Sequence, residues 1–131
     1  MSSPKRLDQN WVHLGLGATA EAQPPFDGME WYEAYGERTA NDGAEGRLVS
    51  MHTFSGDWDS WEMHPVGAEM VLCTEGLIEL VQEMDGREQT ITLGPGEYAV
   101  NPPGVWHTAN VAKTATAVFI TAGEGTEHRP R

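Results

Sequence analysis

Two short stretches of the chain carry the residue types best suited to chemistry. The first is Trp61-Glu62-Met63-His64-Pro65-Val66-Gly67-Ala68-Glu69, and the second is Pro102-Pro103-Gly104-Val105-Trp106-His107. Glu62 and His64 are two apart, so on a β-strand both side chains leave the same face. Pro65 and Gly67 then turn the chain, and Glu69 opens the apolar run Met70-Val71-Leu72-Cys73. A second Pro/Gly turn presents His107 at the start of another short strand. Three strands of a barrel can thereby bring imidazoles and carboxylates to one metal ion.

The elements that must position these residues read as dense β-structure. Arg47 to Phe54, Trp58 to His64, Glu69 to Cys73, Leu77 to Met84 and Glu88 to Leu93 are short and rich in apolar or β-branched residues, as are Tyr98 to Val100, Val105 to Val111 and Ala115 to Thr121. Pro/Gly and Asp-Gly breaks separate them. Asp85-Gly86 between two apolar runs is a strong hairpin signal, because both residues tolerate positive φ. No segment keeps helical apolar spacing for three turns, so little helix is expected. Glu30-Trp31-Tyr32-Glu33-Ala34-Tyr35 is aromatic and partly alternating. Residues 1–25 read as an N-terminal arm with one short strand, 26–122 as a single barrel, and 123–131 as a loose polar tail. Many short strands at this spacing argue for a sandwich or small barrel.

Bulk properties narrow the class. The chain has 131 residues, of which 39% are hydrophobic, enough for one domain with a real core. Eight basic against twenty acidic residues give a formal charge of −12, which repels nucleic acid and anionic membrane surfaces. No apolar run approaches a bilayer span, and no apolar segment follows the basic pair near the N-terminus as in a secretory signal. The single cysteine, Cys73, allows no intrachain disulfide. A cytoplasmic protein without nucleic-acid or membrane partners is expected.

The two motifs resemble those of the small single-domain cupins. The first family motif, G-x5-H-x-H-x3,4-E-x6-G, is followed by Gly56, Glu62, His64, Glu69 and Gly76. The departure is Glu62, where the family usually has a histidine. The second, G-x5-P-x-G-x2-H-x3-N, is matched by Gly96, Pro102, Gly104 and His107, while Asn110 arrives one residue early. The resemblance implies an all-β fold, a jelly-roll β-barrel with the motif residues facing its interior, and a homodimer. It makes His64, Glu69 and His107 metal ligands. Two imidazoles and one carboxylate suit Fe(II) and leave open positions, and Zn, Mn or Ni also fit. A barrel that keeps these residues as a polar pocket without metal is the competing reading. Glu62 is either a fourth ligand, so that two carboxylates cancel a divalent charge, or a general acid/base beside the metal.

Other residues carry weaker readings. His52 reads as a packing or surface residue, and His13 and His128 as solvated. Trp61 and Trp106 each precede a candidate ligand and so point away from it, whereas Trp58 shares the parity of Glu62 and His64 and can line the pocket. Tyr98 and Cys73 read as core, and Arg47 and Arg87 as solvated. Exposed-looking aromatics Trp11, Trp31, Tyr32 and Tyr35 add to the case for a homodimer. The functional expectation is a metal-dependent enzyme acting on a small oxygen-rich molecule. Isomerase, lyase or cyclase chemistry is slightly favoured over O₂-dependent dioxygenation, and a non-catalytic sugar- or effector-binding module is the alternative.

Overall fold

The structure, a computed structural model, describes residues 3–131, so the first two residues of the N-terminal arm lie outside it. Its strands are β1 (Val12–Gly15), β2 (Thr19–Ala22), β3 (Arg47–Phe54), β4 (Ser60–Met63), β5 (Glu69–Glu75), β6 (Ile78–Met84), β7 (Arg87–Leu93), β8 (Tyr98–Asn101), β9 (Trp106–Asn110), β10 (Ala115–Thr121) and β11 (Glu127–Pro130). They form two antiparallel sheets, in the orders β2-β1-β3-β10-β5-β8 and β11-β4-β9-β6-β7. The sheets face each other as a jelly roll. No helix among the described residues is long and apolar enough to cross a membrane.

Strand register explains which side chains meet inside. In the first sheet Leu48, Thr121, Glu69 and Asn101 stand side by side across β3, β10, β5 and β8. Two residues along, Ser50, Phe119, Val71 and Ala99 form the next row. Because side chains alternate faces, both rows point the same way, into the space between the sheets. In the second sheet His128, Glu62, His107 and Gln82 make one row across β11, β4, β9 and β6. The apolar core, which includes Val71 and Phe119 of these rows, continues through Ile78, Leu80, Leu93 and Ala109, among others. Burial of each large aliphatic or aromatic side chain contributes about 1.5–3 kcal/mol.

The turns behave as their residues dictate. Asp85 and Gly86 both take positive φ, 54° and 75°, and close the β6–β7 hairpin with Met84 opposite Arg87. Gly76, at φ +74°, passes so close to β10 that a Cβ would sit 2.1 Å from the Thr114 carbonyl oxygen. That approach accompanies the register irregularity between Thr116 and Ala117, and it accounts for glycine at this motif position.

Three regions differ from the sequence expectation. The arm forms a hairpin, β1 and β2, that joins the edge of the first sheet through β3. Glu30–Arg38 is an α-helix, α1, followed by a 3-10 segment at Ala40–Glu45. At nine residues α1 is too short for a three-turn pattern, and it is fixed instead by burying Trp31 against Trp11 and Leu48. The tail is not loose, since Glu127–Pro130 pairs with β4 as β11. Trp11 and Trp31 are both 4% exposed, covered by the chain's own elements, so these two aromatics leave no surface that calls for a second subunit. Tyr98 is 61% exposed rather than core, because β8 is an edge strand and its inward positions belong to Ala99 and Asn101. Trp61 and Trp106 lie on the outer face of the second sheet, where the Arg129 guanidinium sits over both rings at 5.1 and 4.6 Å.

Candidate metal and substrate site

The rows described above face each other at one end of the barrel. Glu69 is held by its row neighbours: Asn101 donates through Nδ2 to Oε1 at 3.0 Å, and Thr121 donates through Oγ1 to Oε2 at 2.6 Å. Asn101 Oδ1 in turn accepts from Gln82 Nε2 at 2.8 Å, which bridges the two sheets. Gly104 N donates to the His64 carbonyl at 2.9 Å, tying the loop of the second motif to that of the first.

Each of the two histidines is anchored through Nδ1 and turns Nε2 into this frame. His107 Nδ1 lies 3.3 Å from the Val105 carbonyl, which can only accept, so Nδ1 carries a proton and donates it there. His64 Nδ1 lies 2.7 Å from Thr126 Oγ1. That hydroxyl already donates to the Gly123 carbonyl at 2.8 Å, so it accepts from His64 Nδ1–H. Both Nε2 atoms are thus directed inward. His64 Nε2 is 3.1 Å from Glu69 Oε2, and His107 Nε2 is 3.2 Å from Glu69 Oε1. Yet neither Nε2 makes a hydrogen bond of acceptable geometry, although both atoms are fully buried. Trp58 Nε1 is the third buried nitrogen without a partner; its ring meets His107 edge to face at 6.4 Å.

Glu62 completes the group. Its Oε2 lies 3.9 Å from both His64 Nε2 and His107 Nε2, and its Oε1 lies 3.3 Å from His128 Nε2. Glu62, His64 and His107 offer ligand atoms within 4.8 Å of one another. Glu62 is the more accessible carboxylate, with a side chain 29% exposed against 4% for Glu69. Burial opposes charge on His64, but the adjacent Glu69, with Glu62, outweighs it and raises its pKa above the ordinary value. Burial likewise opposes charge on Glu69, but His107 and His64 outweigh it and hold the carboxyl well below the usual range. The site is therefore a concentration of electron-pair donors that calls for positive charge at its centre.

All four residues singled out in the sequence, Glu62, His64, Glu69 and His107, are brought together. His52 lies on the cavity wall against Trp11, Phe54 and Phe119, and burial lowers its pKa, with Glu69 opposing. Trp58 lines the cavity, as its parity predicts. Cys73 is fully buried, donates weakly to the Glu75 and Gly76 carbonyls, and has its thiol pKa pushed up by burial. One histidine reading needs correction, and another gains a partner. His13 is not solvated: it is 4% exposed, with Nδ1 2.6 Å from the Tyr35 hydroxyl and Nε2 2.6 Å from Asp42 Oδ2. His128 keeps about half its exposure but turns its ring to Glu62, because the tail is a strand. The supporting residues Gln82, Asn101, Thr121 and Thr126 escaped the sequence reading. Strand pairing reveals Gln82, Asn101 and Thr121, and Thr126 reaches His64 from the loop between β10 and β11.

Comparison with known proteins agrees with this architecture. The family profile described as "Cupin domain" matches residues 51–123. A search of curated proteins found no match. Among solved structures, a cupin superfamily protein from Desulfitobacterium hafniense is similar at TM-score 0.49 and 19% identity, over 57% of this chain and 65% of that one. A cupin-2 domain containing protein from Shewanella frigidimarina is similar at TM-score 0.49 and 25% identity, over 65% of this chain and 71% of that one. Fe(II)-HppE with an alternative substrate is similar at TM-score 0.50 and 17% identity, over 57% of this chain and 42% of that one. These likenesses concern the fold alone. With the profile covering more than half of its length and both motifs lying within or beside that span, the chain belongs to the cupin family.

Proposed function

We propose that this cupin is a metal-dependent enzyme that acts on a small oxygen-bearing molecule, with His64, His107 and Glu69 holding one divalent transition ion and Glu62 beside it as fourth ligand or proton-transfer residue. The single observation that carries the reading is the pair of buried Nε2 atoms without hydrogen-bond partners, both turned toward Glu69 by rings anchored at Nδ1. A buried polar atom left unpaired costs about 1–3 kcal/mol, and two of them beside a carboxylate are costly unless a cation joins them. Imidazole nitrogen with carboxylate oxygen suits Fe, Zn, Mn or Ni. When bound, such an ion supplies Lewis acidity toward a substrate oxygen.

The remaining work falls to the chain. Thr126 and Val105 orient the imidazoles, and Asn101 and Thr121 orient Glu69, as outer partners do around a metal. Glu62 is the carboxylate with access to the cavity, and His128 holds its Oε1, which leaves Oε2 facing the site. In this reading Glu62 takes a proton from a bound substrate and returns it at another position. That duty favours isomerase, lyase or cyclase chemistry over dioxygenation. The surroundings assigned here are cytoplasmic, which the one buried cysteine suits. A homodimer rests on the family; sedimentation equilibrium giving twice the 14.4 kDa chain mass would support it.

Glu62→Gln separates the two duties of that residue. Retained metal with lost turnover supports the proton-transfer role, and lost metal supports ligation. Stoichiometric metal and tight small-molecule retention without turnover would instead favour the binding-module alternative.

A further inference from the structure

We propose that the outer face of the first sheet is the docking surface for a second copy of this chain, the two sheets packing back to back. Strand register puts Val12, Val49, Ile120, Met70 and Val100 in one row across β1, β3, β10, β5 and β8. Met51, Val118, Leu72 and Tyr98 form the next row across β3, β10, β5 and β8. Both rows alternate with the inward residues Leu48, Glu69, Phe119 and Asn101, so they point away from the barrel. Every member is apolar or aromatic, and each is half-buried or exposed, Tyr98 at 61% and Val100 at 46%.

The second sheet shows how this molecule builds a face that meets water. Its outward positions, on the side of Trp61 and Trp106, include Glu79, Glu83, Glu88 and Arg129, and Arg129 covers both indole rings. Such alternation of apolar inside with polar outside is usual for an antiparallel sheet with one wet face. The first sheet breaks it by being apolar on its outer side across five strands, and a patch of that extent marks an interaction surface.

Size and charge select a second copy as the occupant. Strands about 4.8 Å apart and rows about 6.8 Å apart give the face roughly 500 Å², so two copies together withdraw on the order of 1,000 Å², where specific interfaces begin. The chain carries a formal charge of −12, yet neither row holds a charged residue, so two copies meet here without opposing like charges directly. A two-fold pair needs one patch that complements itself, and this patch offers its own copy the same uncharged surface. The edge strands β2 and β8 have four residues each, which favours packing of faces over addition of strands. The cavity lies on the other side of the sheet and stays open in both copies. A homodimer supported otherwise by the family alone thus gains a defined surface, independent of the metal site.

Sedimentation velocity on the full chain, with circular dichroism to check folding, tests this assignment. The wild type is expected at twice the 14.4 kDa chain mass at micromolar concentration. Val118→Lys, at the centre of the face, should run as a folded monomer. Tyr98→Glu, at its exposed edge, should raise the dimer dissociation constant at least tenfold, and it decides the matter if Val118→Lys does not fold. Thr90→Lys, on the outer face of the second sheet, should leave the dimer intact. A wild-type monomer would overturn both this surface and the homodimer, and would leave the face to a different protein. A dimer indifferent to Tyr98→Glu and Val118→Lys, or one lost with Thr90→Lys, would keep the homodimer and overturn this surface.

Discussion

The molecule buries histidine in two different ways. His13, under the helical segment, has both ring nitrogens within 2.6 Å of a partner, Tyr35 on one side and Asp42 on the other. His64 and His107, at the mouth of the barrel, have each Nδ1 anchored and each Nε2 without a partner. All three are at most 5% exposed. Burial therefore does not separate structure from chemistry here; hydrogen-bond partners do. The His13 cluster is a finished piece of packing that pins α1 and the 3-10 segment to β1. A Cβ on Gly15 or Gly46 would lie 2.7 Å from Asp42 Oδ2 or 2.8 Å from His13 Cε1, which shows how tightly it is closed. The barrel site instead leaves ligand atoms of Glu62, His64 and His107 within reach of one cation.

The largest effects should come from the unfinished histidines. His107→Ala, or His64→Ala, is expected to weaken binding of a divalent transition metal by more than about 100-fold, beyond the roughly 10–100-fold typical of outer-shell changes. Equilibrium dialysis with metal analysis checks this, and unchanged affinity would remove that residue from the ligand set. Asn101→Leu or Thr121→Val leaves the ligands in place but frees Glu69, so affinity should fall by about tenfold. His13→Ala should do the opposite: metal affinity unchanged, but stability lower by about 2 kcal/mol, from lost bonds to Tyr35 and Asp42. For a domain of this size that is a Tm drop of roughly 8 °C by calorimetry. If His13→Ala also depletes the metal, the two histidine environments are not independent.

A smaller effect, in pH, sharpens the same contrast. Metal binding needs neutral His64, whose folded pKa is raised, so protons should compete below that value and weaken binding by up to about tenfold per pH unit. In the metal-free protein the signs differ for the two partners. The raised His64 pKa adds stability below about pH 6.5 that is lost as pH rises through the folded value. The depressed Glu69 pKa adds stability above about pH 4.3 that is lost as pH falls through its folded value. Metal-free protein should then be most stable on the acid side of neutrality, and metal should move that maximum upward. A Tm maximum that stays put on metal addition would mean that these groups do not hold it.

Much of the barrel was legible because its signals are local. Asp85-Gly86 announces a hairpin by its tolerance of positive φ, and Glu62-x-His64 announces a shared face by parity. The ends of the chain were not legible in this way. The helix Glu30–Arg38 and the strand Glu127–Pro130 are set by tertiary contacts, Trp31 on Trp11 and the tail on β4, that no local pattern encodes. For the same reason the burial of His13 and the contact of exposed His128 with Glu62 were not legible. Each takes its environment from a segment distant in sequence, Asp42 in one case and Glu62 in the other. The support of Glu69 by Thr121 and Asn101 was hidden too, because it depends on strand order, which periodicity does not reveal.

The central claim is that His64 and His107 share a cation through their Nε2 atoms. The most direct test is elemental analysis of the full chain after anaerobic reconstitution with Fe(II), Mn(II), Ni(II) and Zn(II) in turn, beside the His64→Ala and His13→Ala variants. About one ion per chain in the wild type and in His13→Ala, and none in His64→Ala, is the predicted result. A wild-type chain that takes up none of the four ions would contradict it.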